Sequence, residues 1–220
     1  MATLAELDPQ DTRLHLKGRK CVNLIAPMSV PFPETIFAAD GTLVDLKAAG
    51  FLGLGRSTRD GVTFPRSVSI EDQFSHGYID PSDSDRTEDT KQVSVTLQQP
   101  NARVMALVLG ASLDAMRVTT AGDFWLPDAQ LPEDQDYRWL TIAQTFDKVT
   151  GLPVVFGYGF PRMRVTEPGE QAIGGEGWVE YPLTLTAYFD AEVGTSRVPF
   201  IGGPGFRAAS TSLGYAAAGS

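Results

Sequence analysis

The sequence predicts a mainly β protein in which one short helix lies against a sheet. Three observations lead there. The 22 glycines and 15 prolines are spread along 220 residues, which suits many short strands and turns. Lys91–Gln98 alternates strictly, with Val93, Val95 and Leu97 on one face and Gln92, Ser94, Thr96 and Gln98 on the other, as a half-buried strand requires. Directly after it, Asn101 to Gly110 is apolar around most of its girth through Val104, Met105, Leu107 and Val108, and such a helix has to be covered. A chain of this length fits one β-rich domain with arms.

Taken in order, residues 1–50 are punctuated by Asp8-Pro9 and by Pro27, Pro31 and Pro33, and proline blocks both helix interiors and central strands. They read as an N-terminal arm or insertion with short strands near Lys20–Ala26 and Thr35–Ala38. The main domain is placed at 51–193. FLGLGRS, TRDG and VTFPRSVSI form a hairpin signal, with Asp60-Gly61 supplying the turn. Val62, Phe64, Val68 and Ile70 share one face of its second strand with Arg66, and Pro65 demotes part of it to an edge or a bulge.

Residues 71–90 read as a solvated acidic loop carrying Asp80, Asp83, Asp85, Glu88 and Asp89. A second acidic loop spans 121–136. Arg86 is the one Arg or Lys in the two segments together, so they focus a negative field. Asn101 and Gly110 are the expected cap residues of the helix between them. Three strands follow: Tyr137–Phe146 with Leu140, Ile142 and Phe146 on one face, Val154–Val165 kinked at Gly157, Gly159 and Pro161, and Trp178–Asp190. The last turns Val179, Tyr181, Leu183, Leu185, Ala187 and Phe189 inward and Thr184 and Thr186 outward. Residues 194–220, rich in Gly, Ala and Ser, read as a C-terminal arm that is mobile until a partner holds it.

Several functions find no support. The formal net charge of -9 opposes an unaided nucleic-acid binder, because affinity for a duplex comes from Lys and Arg on phosphates; it also opposes an anionic membrane surface. Cys21 is the single cysteine, so one chain forms neither a disulfide nor a Cys-based zinc site. The first residues lack a basic and an apolar region of the secretory kind, and the longest apolar run, Val104 to Leu113, is about half of a membrane span. The expectation is a protein folded in a cytoplasm. His15 and His76 stand in unrelated contexts, and no G-x-S-x-G, P-loop or H-E-x-x-H occurs. Gly53-x-Gly55 lacks the third glycine and the following helix of a dinucleotide loop, and the acids of 71–90 lack calcium-loop spacing. No catalytic, cofactor or metal residue is assigned, and no enzyme is expected.

One pattern favours assembly. The outward strand faces are short, polar and mostly uncharged: Gln92, Ser94, Thr96 and Gln98, then Ser67 and Ser69, then Thr184 and Thr186. A sheet of this kind has edges that must be blocked or paired, and closing several copies into a ring pairs them between subunits.

In its order of motifs the chain resembles the major tail tube protein of long-tailed, non-contractile phages, especially those of actinobacterial hosts. The residues that carry the likeness are Gly53–Val62; Ser69-Ile70-Glu71-Asp72 with Gly77-Tyr78; Lys91–Leu97 running into Asn101–Gly110; Tyr181–Ala187 with Asp190 and Gly194; and Gly202-Gly203-Pro204-Gly205. The resemblance implies a β-sandwich or partial-barrel tail-tube fold with one flanking helix, assembling into hexameric rings that stack as a virion tail tube. Its implied partners are further copies of itself, a tape-measure protein in the lumen, tail terminator and tail-tip proteins at the ends, and DNA in transit. Assembly would take place in the host bacterial cytoplasm. On this reading Asp80, Asp83, Asp85, Arg86, Glu88 and Asp89 make ring-to-ring contacts, Gln92, Ser94, Thr96, Gln98, Thr184 and Thr186 line the channel, and Val104, Leu107 and Val108 pack the helix. A ring protein of a contractile injection or secretion device, a β-sandwich hydrolase using paired carboxylates, and a carbohydrate-binding module are the other readings.

Overall fold

The computed structural model describes residues 15–76, 79–126, 134–173 and 177–216, apart from the side chain of Asp114. Expectations for residues 1–14, Gly77-Tyr78, 127–133 and 217–220 lie outside the described residues. The rest is mainly β: β1 (Lys20–Pro27), β2 (Leu52–Gly53), β3 (Ser57–Thr63), β4 (Arg66–Gln73), β5 (Asp83–Leu97), β6 (Asp136–Phe146), β7 (Pro153–Pro168), β8 (Tyr181–Ala187) and β9 (Val198–Gly202). Two helices accompany them, α1 (Ala102–Leu109) and α2 (Pro204–Ala209). The strands join one antiparallel sheet in the order β2-β1-β6-β7-β8-β5-β3, which curls into an open half-barrel. β4 continues β3's place along the N-terminal half of β5, and β9 pairs with the N-terminal half of β7.

The inside of the curl is one apolar cluster. Val93, Val95 and Leu97 of β5 meet Leu183 and Leu185 of β8, Trp139 of β6 and Phe160 and Met163 of β7, and α1 closes it with Val104 and Leu107. Val108 packs at its margin. The helix starts where Asn101 Oδ1 accepts the backbone N–H groups of Arg103 and Val104, both at 3.1 Å, and it stops at Gly110, whose φ of 63° ends the turn in the left-handed region. Two further bonds tie it down: Asn101 Nδ2 donates to the Leu54 carbonyl at 2.7 Å and Arg103 to that of Gly53 at 2.9 Å.

The back of the sheet is also covered at β6. Ile36, Leu46 and Phe51 pack on Leu140, Ile142 and Val155, so β6 is buried along both faces and reads as an almost continuous buried strand. This corrects the placing of residues 1–50 as an arm. β1 lies inside the sheet, paired over its whole length with β6, and residues 28–51 form the back layer. Pro27 is the last residue of the strand, and Pro31 and Pro33 fall after it, so the strand's interior keeps its ladder bonds.

Other expectations change too. Asp60-Gly61 makes no hairpin turn; it lies within β3, where the register against β5 slips between Ser57 and Val62 and Gly61 has a φ of 76°. A positive-φ glycine serves a bulge as well as a turn. Most of the 71–90 loop is strand, described below. Gly157 and Gly159 mark close approaches, since a Cβ on Gly157 would stand 1.9 Å from the Thr141 carbonyl oxygen. Phe146 and Phe189 are exposed because β6 ends at the one and β8 ends before the other. The C-terminal arm, where described, is ordered by β9 on β7 and by α2, so two helices flank the sheet.

Arg138 of β6 is 2% exposed and its guanidinium reaches three parts of the chain. Nε donates to the Val30 carbonyl in the back layer, Nη1 to the Pro161 carbonyl of β7 at 3.2 Å and to Asp190 at 3.1 Å, and Nη2 to Glu192 at 3.1 Å. Asp190, 5% exposed, also accepts the N–H groups of Glu192 and Val193 at 2.9 and 3.2 Å, fixing the turn that leads into β9. Removing one member of a buried, hydrogen-bonded ion pair costs about 3–5 kcal/mol, because the other charge is left uncompensated. Asp190→Ala is expected to lose that much in urea unfolding, whereas Asn101→Ala, which removes a helix cap, loses about 1 kcal/mol.

Candidate functional site

Two surfaces stand out, and β5 belongs to both. The first is the back of the sheet beyond the part that residues 28–51 cover. In register, Asp136 faces Arg164, Arg164 faces Thr186 and Thr186 faces Gln92 across β6, β7, β8 and β5. A second row runs from Glu167 through Thr184 and Ser94 to Thr63. The side chains are cross-bonded: Gln92 Nε2 donates to Thr186 Oγ1 at 3.3 Å, Ser94 and Thr184 share a hydroxyl bond of 3.2 Å, and Thr166 and Thr186 one of 3.0 Å. Gln98 donates to Glu180 at 3.1 Å, and Thr96 lies opposite Pro182. Gln92, Ser94, Thr96, Thr184 and Thr186 thus come together on one bare face, with a shallow groove of about 340 Å³ between Thr58, Thr63, Ser94, Thr96, Glu167 and Thr184.

Sequence reasoning missed the β7 share of this face. Arg162, Arg164 and Thr166 alternate with Met163 and Val165, a period-two signal hidden by the glycines and proline just before it. Both arginines converge on Asp136, Arg162 Nε at 2.7 Å and Arg164 Nε at 2.8 Å, and Arg164 also holds Asp134. Their guanidinium carbons sit 5.9 and 5.4 Å from the ring centre of Tyr188. The described acids at the end of the 121–136 segment are therefore paired, which weakens the concentrated negative field expected there. Burial pushes the Asp136 carboxyl up, but the hydrogen bonds from Arg164 and then Arg162 outweigh it and hold the group below the ordinary carboxylate range.

The second surface is a hairpin. The segment expected as an acidic loop is a β4–β5 ribbon that pairs from Arg66↔Lys91 to Gln73↔Asp83. Asp83, Asp85, Arg86, Glu88 and Asp89 lie on its β5 strand and Asp80 in the connection at its tip. A strand forms here because cross-strand bonds outweigh the poor β propensity of the acids: Arg66 grips Asp89 with two bonds of 2.7 and 2.9 Å, and Ser69 donates to Glu88 at 3.3 Å. β8 ends opposite Lys91, so the ribbon beyond it projects from the body and is exposed on both faces.

Its two faces differ in charge. Register places Arg66, Val68, Ile70 and Asp72 of β4 with Lys91, Asp89, Arg86 and Ser84 of β5 on one face. Arg66, Lys91 and Arg86 surround Asp89 at 2.7, 3.2 and 3.8 Å, and the bond from Arg66 holds that carboxyl far below its ordinary range. The other face carries Ser67, Ser69, Glu71 and Gln73 with Thr90, Glu88, Asp85 and Asp83. Four acids and no cation share it, and Glu71 stands directly opposite Asp85. At the tip and along the first face, Ile70, Phe74 and Ile79 are 62%, 63% and 95% exposed.

Comparison with protein-family models and with curated proteins finds no match for the chain. Among the described residues no group of three or more His, Cys, Asp or Glu has metal-binding geometry, and no helix is long and apolar enough to cross a membrane.

The Asp136 pairing has a pH signature. A carboxyl whose folded pKa is depressed contributes stability above its unfolded value, about 4, and loses that contribution as pH falls through the folded value. In urea midpoints measured against pH, the advantage of the natural chain over Asp136→Asn is expected to be constant near neutrality and to shrink below about pH 4. A gap that does not change with pH counts against it.

Proposed function

We propose that this chain is the subunit of a phage tail tube, a structural protein that closes into rings and stacks those rings into a conduit for DNA. The observation that carries the reading is the double use of β5. Its C-terminal half belongs to a bare, cross-bonded Ser/Thr/Gln face, and its N-terminal half to a ribbon that reaches past the body with apolar side chains in water. A two-stranded ribbon exposed on both faces is marginal by itself and gains stability from a neighbour.

The parts take the following roles in this reading. Gln92, Ser94, Thr96, Gln98, Thr184 and Thr186 line the channel. Duplex DNA carries about one negative charge per 1.7 Å, so a wall of neutral hydroxyls and amides, with Arg162 and Arg164 already engaged by Asp136, offers phosphates little free cation to hold and lets the duplex slide. The ribbon with Asp80, Asp83, Asp85, Arg86, Glu88 and Asp89 spans from one ring to the next, and α1 with Val104, Leu107 and Val108 props the wall from behind. Hexameric rings, a tape-measure protein in the lumen, terminator and tip proteins at the ends, and location in the virion complete the proposal.

Negative-stain microscopy of the concentrated protein tests it. Rings or tubes with a hollow centre are expected, and a monodisperse monomer at high concentration overturns the proposal. Replacing residues 70–86 by a short turn should leave rings and abolish tubes; tubes of unchanged length and yield sink the stacking role of the ribbon.

A further inference from the structure

The projecting ribbon also carries an instruction about its own partner. One face presents Arg66, Arg86 and Lys91 around Asp89, with Val68 and Ile70 between them and Asp72 toward the tip. The opposite face presents Glu71, Asp83, Asp85 and Glu88 in register, with Ser67, Ser69 and Thr90. Nothing in the ribbon's own stability calls for this division. Like charges directly opposite one another, as Glu71 and Asp85 are, weaken a strand pair, and exposed Ile70 does nothing for an isolated ribbon.

We propose that the ribbon of one copy docks, cationic face first, onto the acidic face of the ribbon of a second copy. This rests on the reading of the chain as a tube subunit and names the chemistry of the ring-to-ring contact. Three properties follow from the two faces. The contact is front-to-back, so each copy keeps one donor and one acceptor face and the association propagates instead of closing as a two-fold dimer. Desolvated charge pairs at the rim set register and orientation, while Val68 and Ile70 supply the apolar area beneath them. Because the charged groups are exposed before docking, the association weakens with salt as the screening length falls from about 10 Å at 0.1 M to about 3 Å at 1 M.

A charge exchange tests it in the full chain. Arg66→Glu with Arg86→Glu makes both faces acidic; Glu71→Lys, Asp83→Lys and Asp85→Lys together make both basic. Circular dichroism and urea unfolding confirm that each variant is folded, and sedimentation velocity reads association. Each variant alone should need on the order of tenfold more protein than the natural chain to associate, and an equimolar mixture should recover association to near the natural concentration. Variants that associate as readily as the natural chain overturn the inference, as does a mixture that fails to recover. Microscopy separates this from the tube reading. Natural tubes that tolerate both charge exchanges leave the tube reading standing and remove the ribbon contact. Mixture-dependent association without rings or tubes does the reverse.

Discussion

The sheet depends on one buried guanidinium. Arg138 sits near the start of β6, the strand that faces the apolar cluster on one side and the back layer on the other. Its donors meet the Val30 carbonyl, the Pro161 carbonyl, Asp190 and Glu192, so one side chain ties the segment after β1, the bend of β7 and the turn after β8. Each of those segments leaves a strand end or an irregular stretch of backbone whose polar groups need partners. An aliphatic residue there would fill the space and satisfy none of them. The arginine holds them in register because its planar fork fixes several acceptors at once, and Asp190 supplies the charge that makes burying it tolerable.

How much of this was legible depends on whether the signal was local. The alternation of β5, the alternating core of β8 and the cap residues Asn101 and Gly110 are patterns within about ten residues, and the structure has them where the sequence placed them. The bare polar face was half legible. Its β5 and β8 members alternate in clear runs, whereas Arg162, Arg164 and Thr166 follow a stretch broken by Gly157, Gly159 and Pro161. β1 was underrated because its eight residues carry few turn signals of their own and owe their burial to β6, far away in sequence. Arg138 and Asp190 meet only in the folded chain, and an isolated Arg in an apolar run looks like a surface residue until its partner is known.

The acidic ribbon shows why composition alone misled. Seven acids in twenty residues read as a loop, since Asp is depleted from strands, yet the segment pairs continuously from Arg66↔Lys91 to Gln73↔Asp83. Threonines and serines stand among the acids, and Arg66 and Lys91 anchor the base through Asp89. The apolar residues that should have exposed the pattern, Val68 and Ile70, point away from the body's core because the strand has already left it. Burial followed from where β8 stops, not from hydrophobicity.

The position of β1 has a consequence for how the chain reaches this state. Asn23 accepts a hydrogen bond from Thr141, 118 residues later, and Thr141 in turn accepts one from Trp139. At a synthesis rate of about 5–20 residues per second, β1 waits roughly 6–24 s for its neighbour to appear. The β4–β5 ribbon, by contrast, closes over a short loop and is available early. A fold dominated by such distant pairings assembles slowly, so the part of the molecule with apolar side chains in water is built long before the body that limits its reach. Exposed apolar surface therefore exists in the growing chain before the sheet that frames it has closed.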